Sequence, residues 1–148
     1  MKRRGWSWKE AKLEEQLAGR LAEKFQIDFY EAALPSDLGN VDLLLALGDL
    51  YTRQGLLEKG LQVDQRLVQI QPEDPKYHYN LACTHSLLGH LDPAFAALSR
   101  AVQLGYDKLE HLREDPDLEN LKKDRRYEEI LKGLASKLGS GSQQKLTG

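Results

Sequence analysis

Few residues in this chain are of types that could do chemistry, and their spacing keeps them apart. His78 and His85 lie seven residues apart. On one helix they would share a face, but at 1.5 Å per residue they would sit about 10.5 Å apart along the axis, too far to hold one metal ion. Cys83 falls between them, about 140° around such a helix from His78, so no Cys–His nucleophile pair is expected. Glu110, Glu114, Asp115, Asp117 and Glu119 form an acidic run without the spacing of a calcium-binding EF-hand loop, and they read as a solvated, helix-capping cluster. Lys122, Lys123, Arg125 and Arg126 are interrupted by Asp124 and followed by Glu128 and Glu129, which reads as a solvated face. No nucleophile, base and orienting group can be assembled. The expectation is a protein that is not an enzyme and takes no cofactor or metal.

Composition narrows the class further. The net charge is −2 over 148 residues, whereas a protein that binds through nucleic-acid phosphates needs a basic surface. The distribution is uneven: residues 1–24 sum to +3, residues 25–75 to −6 and residues 76–148 to +1. A partner with a basic segment is therefore favoured near the acidic stretch. Cys83 is the only cysteine, so no intramolecular disulfide can form, which fits a reducing compartment. The opening MKRR leads into Trp6, Ser7, Trp8 and charged residues, not into the apolar run of a signal peptide. No stretch approaches the roughly 18 apolar residues of a membrane span. A cytoplasmic location is expected, and the chain fits one domain or a piece of something larger.

The elements that position these residues follow from a repeat. Residues 41–74 and 75–108 carry one pattern twice at a 34-residue step: Leu47 recurs as Leu81, Gly55 as Gly89, Leu57 as Leu91, Leu61 as Phe95, Val68 as Val102 and Ile70 as Leu104. Two helices of this length cannot bury their apolar faces alone, so copies must stack into a solenoid with a concave surface. Ser7 and Glu10 form a capping box that opens a first helix, on which Leu13, Leu17, Leu21 and Phe25 recur every four residues. The stretch Ile27–Leu34 fits either its end or a second helix begun at Asp28. Asp74-Pro75, Asp92-Pro93 and Asp115-Pro116 each pair an N-cap with a proline suited to the first helical position. Helices are thus predicted at 41–54, 57–70, 75–88, 92–104, 116–122 and 125–138, with Gly55 and Gly89 closing two of them. Gly60 lies inside a helix, which calls for close approach of the preceding one.

The first copy, LLLALGDLYTRQGLLEKGLQVDQRLVQIQP, resembles the tetratricopeptide family through Leu44, Leu47, Gly48, Tyr51 and Pro72, and the second through Leu81, Ala82, Ala94 and Ala101. Both depart from the family pattern. Gly60 replaces the usual helix-B alanine, and His78 and His85 fill slots that usually hold aromatic residues, which implies packing roles for both. The segment DPDLENLKKDRRYEEILKGLASKL resembles the closing repeat of many bacterial tetratricopeptide proteins. The resemblance implies an all-α superhelix in one domain: an N-terminal helical cap over 1–40, repeats over 41–74 and 75–108, a degenerate closing repeat over 109–138, and a flexible tail over 139–148. Apolar residues of the two ends, Trp8, Leu13, Leu17 and Leu21 on one side and Tyr127, Ile130, Leu131 and Leu134 on the other, are expected to be covered.

By the same resemblance the first helix of each repeat lines the groove. The inward residues would be Asp42, Leu45, Asp49, Thr52 and Arg53, then Lys76, Tyr79, Asn80, Cys83 and Leu87. Tyr79 would serve as an anchor and Asn80 would hold a client's backbone, the alternative being that both only pack between repeats. Family members that clamp a chaperone's terminal carboxylate use a Lys and Asn, an Asn, and a Lys and Arg in successive repeats. Here only Asn80 matches: Leu45 and Asp49 occupy the first pair and Glu110 and Glu114 the last, so that client is not expected. The reading is a module that binds an extended segment of another protein in its groove. The alternative is a structural subunit docked through its ends or convex face, with the groove filled by its own N-terminal helix.

Overall fold

The computed structural model describes residues 7–34 and 39–146, with side chains described as far as residue 140. Among the described residues the chain is helical without strand: α1 Trp8–Ala33, α2 Val41–Arg53, α3 Leu57–Ile70, α4 Pro75–Leu87, α5 Leu91–Gln103, α6 Leu109–Glu114, a single 3-10 turn at Pro116–Leu118 leading into α7 Glu119–Lys122, and α8 Arg125–Leu146. The predicted connection over 35–40 falls mainly outside the described residues.

Local chemistry accounts for the boundaries. Ser7 and Glu10 exchange both bonds of a capping box, Glu10 N to Ser7 Oγ at 3.3 Å and Ser7 N to Glu10 Oε2 at 2.8 Å. α1 then runs unbroken to Ala33, so Asp28 starts nothing new. Asn40 caps α2 by accepting from Leu43 N at 3.0 Å, and Asp74 caps α4 by accepting from Lys76 N at 2.9 Å. Gly55 and Gly89 adopt φ of 72° and 77° at equivalent places. Around Gly55 the bonds Leu56 N to Tyr51 O and Gly55 N to Thr52 O satisfy two end carbonyls of α2, and His90 N to His85 O and Gly89 N to Ser86 O repeat them after α4.

Four expectations need correction. Asp92 does not cap α5, which begins a residue earlier at Leu91; Pro93 still sits in the first turn, where no N–H bond is lost, and Asp92 reaches Arg126 instead at 2.7 Å. Arg126 is not merely solvated, because its guanidinium lies 4.2 Å from the Phe95 ring centre and also pairs with Asp124. α8 continues through Gly139 and Gly141 to Leu146 instead of ending near 138. Once a helix is nucleated, extending it is cheap enough to carry glycines that cost about 1 kcal/mol each. Finally, the close approach expected at Gly60 is at Gly48. A Cβ on Gly48 would meet Val63 Cγ1 at 3.3 Å, whereas one on Gly60 would find nothing nearer than 3.9 Å.

Two buried clusters share α4. Ile27, Leu44, Leu47, Leu50, Tyr51, Val63, Leu67 and Tyr77 join α1, α2 and α3 to the start of α4. Tyr79, Ala82, Phe95, Leu98, Leu112, Leu118, Leu121 and Tyr127 are part of the second, which runs on to α8. Tyr127 and Leu134 are buried and Ile130 and Leu131 partly so, which closes the C-terminal end. The N-terminal end differs from expectation: Trp8, Leu13, Leu17 and Leu21 are all exposed, since α1 packs apolar residues on the body through its last turns around Ile27, Tyr30 and Leu34, and Glu23 before them makes polar contacts with Arg53 and Gln54.

Candidate functional site

A cleft of about 480 Å³ opens across α2, α3 and α4 and is floored by α6 and the segment after it. Its lining is Leu45, Gly48, Asp49 and Thr52 from α2, Asp64 and Leu67 from α3, Tyr79, Asn80, Cys83, Thr84 and Leu87 from α4, and His111, Asp115 and Asp117. Seven of the ten residues named from the sequence meet here: Leu45, Asp49, Thr52, Tyr79, Asn80, Cys83 and Leu87. Asp42, Arg53 and Lys76 are exposed but do not line the cleft. Arg53 instead bridges Asp49 at 2.9 Å and Glu23 at 3.5 Å. No described residue of α1 enters the cleft.

The side chains at the floor hold one another. Tyr79 donates its hydroxyl to Asp115 Oδ2, and its ring stacks on Tyr106 at 4.4 Å with planes 4° apart. Cys83 Sγ donates to the same carboxylate oxygen at 3.8 Å, while Asp117 N donates to Asp115 Oδ1 at 2.9 Å. His111 Nε2 lies 3.4 Å from Asp115 Oδ2. Tyr79 is therefore mainly a packed residue that shows one edge to the cleft. Asn80, by contrast, is exposed and free to turn toward a ligand. Asp115, read from the sequence as part of a solvated cluster, is buried because its carboxylate takes these three donors.

Electrostatics favour cations. Four carboxylates line the cleft, His111 is the one basic side chain in its lining, and neither lysine nor arginine is among them. Asp64 is buried and accepts from Thr84 Oγ1 at 2.6 Å. Burial pushes its carboxyl up to about 6, against the smaller opposing effect of that hydroxyl. Asp117 is also raised, by burial and then by Asp115, with His111 opposing. The Cys83 thiol is pushed well up by burial and by the charges of Asp115 and Asp117, the reverse of what activates a nucleophilic cysteine. Cys83 Sγ and carboxylate oxygens of Asp115 and Asp117 lie within 4.8 Å of one another, close enough to share an ion, but the Asp115 oxygens already accept from Tyr79, Cys83 and the Asp117 amide. His78 is a satisfied packing residue, its Nε2 2.7 Å from Pro72 O. His85 is half-buried with Nδ1 3.3 Å from His90 Nδ1, and burial followed by His90 lowers its pKa.

Asp64 was missed by the sequence reading, although a signal existed. Gly60, Val63, Asp64 and Leu67 form the buried stripe of α3, and 34 residues on the same stripe reads Ala94, Ala97, Leu98 and Ala101. A carboxylate stands where the next repeat has leucine. His111, Asp115 and Asp117 had no such signal as cleft residues, because they come from the segment where the repeat pattern has eroded.

No family model matches the chain. It is 31% identical over 85 residues to a chloroplastic protein of Arabidopsis thaliana, a match that covers 55% of this chain and 25% of that protein. It is 29% identical over 80 residues to the peroxisomal targeting signal receptor of Candida albicans, covering 54% of this chain and 14% of the receptor. The chain thus spans a quarter or less of the length of these two curated relatives. Among solved structures, MamA superposes with a TM-score of 0.64 at 20% identity, over 83% of this chain and 71% of MamA. PcrH in complex with the chaperone binding region of PopD gives 0.52 at 23% identity, over 90% and 97%. No helix of the described residues is long and apolar enough to cross a membrane. With paired helices at a 34-residue step, equivalent left-handed glycines and these likenesses in fold, the chain has the all-α superhelical fold of a tetratricopeptide-repeat solenoid.

Proposed function

We propose that the chain is a protein-binding module whose cleft holds an extended, basic segment of a partner. The observation that carries this reading is the cleft's lining: Asp49, Asp64, Asp115 and Asp117 converge with one histidine and no lysine or arginine beside apolar Leu45, Leu67 and Leu87. Keeping Asp64 as a carboxylate in a buried place is unfavourable in the free protein, and a lysine or arginine head inserted beside it would relieve that cost. Leu45 and Leu87 offer apolar contact to neighbouring client side chains, and Asn80 offers a donor and an acceptor to a client's backbone. PcrH, of like fold, has been solved with a segment of its partner bound, which supports the same class of use here.

The test is binding of a labelled extended peptide that alternates lysine with leucine, followed by fluorescence anisotropy. Asn80→Ala should weaken it by about 1–2 kcal/mol and Asp49→Lys should chiefly slow association and flatten its salt dependence. Equal affinity for a glutamate–leucine peptide would sink the proposal. The alternative, a structural subunit docked through its ends, draws support from the exposed apolar face of α1.

A further inference from the structure

We propose that His85 and His90 form a site for a divalent transition-metal ion of the zinc class, held by both Nδ1 atoms at the turn between α4 and α5. Neither residue lines the cleft, so the inference stands independently of the proposed client. Among the described residues the same helix-ending turn occurs three times. Leu56 N donates to Tyr51 O after α2, His90 N to His85 O after α4 and Tyr106 N to Ala101 O after α5, each across a glycine with positive φ. This turn brings together the side chains of its two outer residues, and the contact is ordinarily hydrophobic. The pair is Tyr51 and Leu56 in the first repeat and Ala101 and Tyr106 after α5, but after α4 it is two imidazoles.

Three properties of that pair fit a metal ion. The first is spacing: His85 Nδ1 lies 3.3 Å from His90 Nδ1, and two nitrogens each about 2.0–2.1 Å from one tetrahedral ion stand about 3.3–3.4 Å apart. The second is preorganisation. Gly89 with φ of 77° and the backbone bonds from His90 N at 2.9 Å and Gly89 N at 3.0 Å fix the turn, so folding has already met most of the entropy of bringing the two ligands together. The third is an available lone pair. Burial and then His90 lower the His85 pKa, which keeps its ring neutral at pH 7, and His90 is exposed, which gives an ion a path in. In the hydrogen-bonded pair one ring donates its Nδ1–H to the Nδ1 of the other, and an ion takes the place of that proton after small rotations of the two rings. The donor ring releases its Nδ1 proton to water and takes one at Nε2, so two neutral rings each give a lone pair and no net proton is released. Water completes the coordination. Imidazole suits zinc, copper and nickel, whereas calcium and magnesium require oxygen ligands. By sequence spacing His85 pairs with His78 on one helix face; the fold gives it His90 instead, from beyond the end of α4.

The test is calorimetric titration of the whole chain with zinc chloride, read alongside the imidazole nitrogen resonances of its four histidines. Saturable binding of one ion per chain is expected, with Nδ1 of His85 and of His90 shifting while His78 and His111 hold. Loss of a partner that merely orients a metal ligand typically costs about 10–100-fold in affinity, so His90→Gln, which removes a ligand at an exposed place, should weaken binding by about 10-fold or more. The double variant His85→Tyr and His90→Leu restores the pair of the first repeat, and it should abolish binding while keeping the helix content. No saturable binding up to about 1 mM zinc overturns the inference and leaves the pair an ordinary hydrogen bond. Shifts confined to His111 overturn it too, placing the ion in the cleft with Cys83, Asp115 and Asp117. Zinc affinity unchanged in both variants overturns it as well.

Discussion

Replacing Asp64 by asparagine is expected to make the protein more stable at neutral pH, although it removes a residue with a short hydrogen bond in the interior. The Asp64 carboxyl is raised from its ordinary 3.8 to about 6, with burial as the larger cause and the Thr84 hydroxyl opposing. At 1.36 kcal/mol per pKa unit the charged form costs on the order of 2–3 kcal/mol in the folded state at pH 7. The folded protein holds the proton more tightly than the unfolded chain, so this cost is absent below about pH 4 and fully present above about pH 6. Asparagine fits the same space and can still accept from Thr84 through Oδ1. Glu31 and Asp124 have lowered pKa values and lose stability in the opposite direction as pH falls. The informative quantity is therefore the difference between variant and wild type, not either curve alone. Urea unfolding followed by circular dichroism at about pH 4, 6 and 7.5 should show Asp64→Asn gaining on the order of 2 kcal/mol, or roughly 4–8 °C in Tm, at the highest pH and almost nothing at the lowest. A gap that does not change with pH, or a variant less stable at pH 7.5, refutes the assignment of a strained carboxylate in the cleft.

Other substitutions separate packing from conformation. Leu47→Ala should cost about 2–5 kcal/mol in chemical denaturation, because Leu47 is wholly enclosed, while its counterpart Leu81, only partly buried, should cost less. Gly60→Ala should raise the melting temperature through a gain of up to about 1 kcal/mol, since its Cβ would have ordinary contacts, whereas Gly55→Ala should lower it by about 1 kcal/mol because φ is 72° there. Tyr79→Phe removes one donor from buried Asp115 and should cost about 1–3 kcal/mol in urea unfolding without altering helix content.

The helical architecture was legible because it rests on periodic, local signals. The 34-residue step, the glycines at 55 and 89 and the Asp74 cap each depend on a few neighbouring residues, and the observed helices match the predicted ones from 41 to 104 to within about a residue. Asp92 misled because an Asp-Pro pair suits two adjacent positions of a first turn, and only the distant Arg126 shows which one it takes. The α1 stripe misled differently: its pattern specifies an apolar face but not what meets it. At the site, α4 positions such as Asn80, Cys83 and Leu87 could be named from their place in the repeat. Tyr79 was named too, yet its bond to Asp115 and its stack on Tyr106 join residues whose proximity no local pattern encodes. Asp64 stood in plain view as the odd member of a buried stripe. Its meaning came only with the cleft beside it.

The central claim is that the acidic cleft is the binding surface, and amide hydrogen exchange of the chain with and without the lysine–leucine peptide tests it most directly. The claim predicts new protection on α2 and α4 around Asp49, Asn80 and Leu87, and near His111 after α5. Its pH dependence should follow Asp64, the protection weakening as pH falls through about 6 because a protonated carboxyl no longer attracts the cation. Protection confined to α1 or α8, with α2 and α4 unchanged, would contradict it.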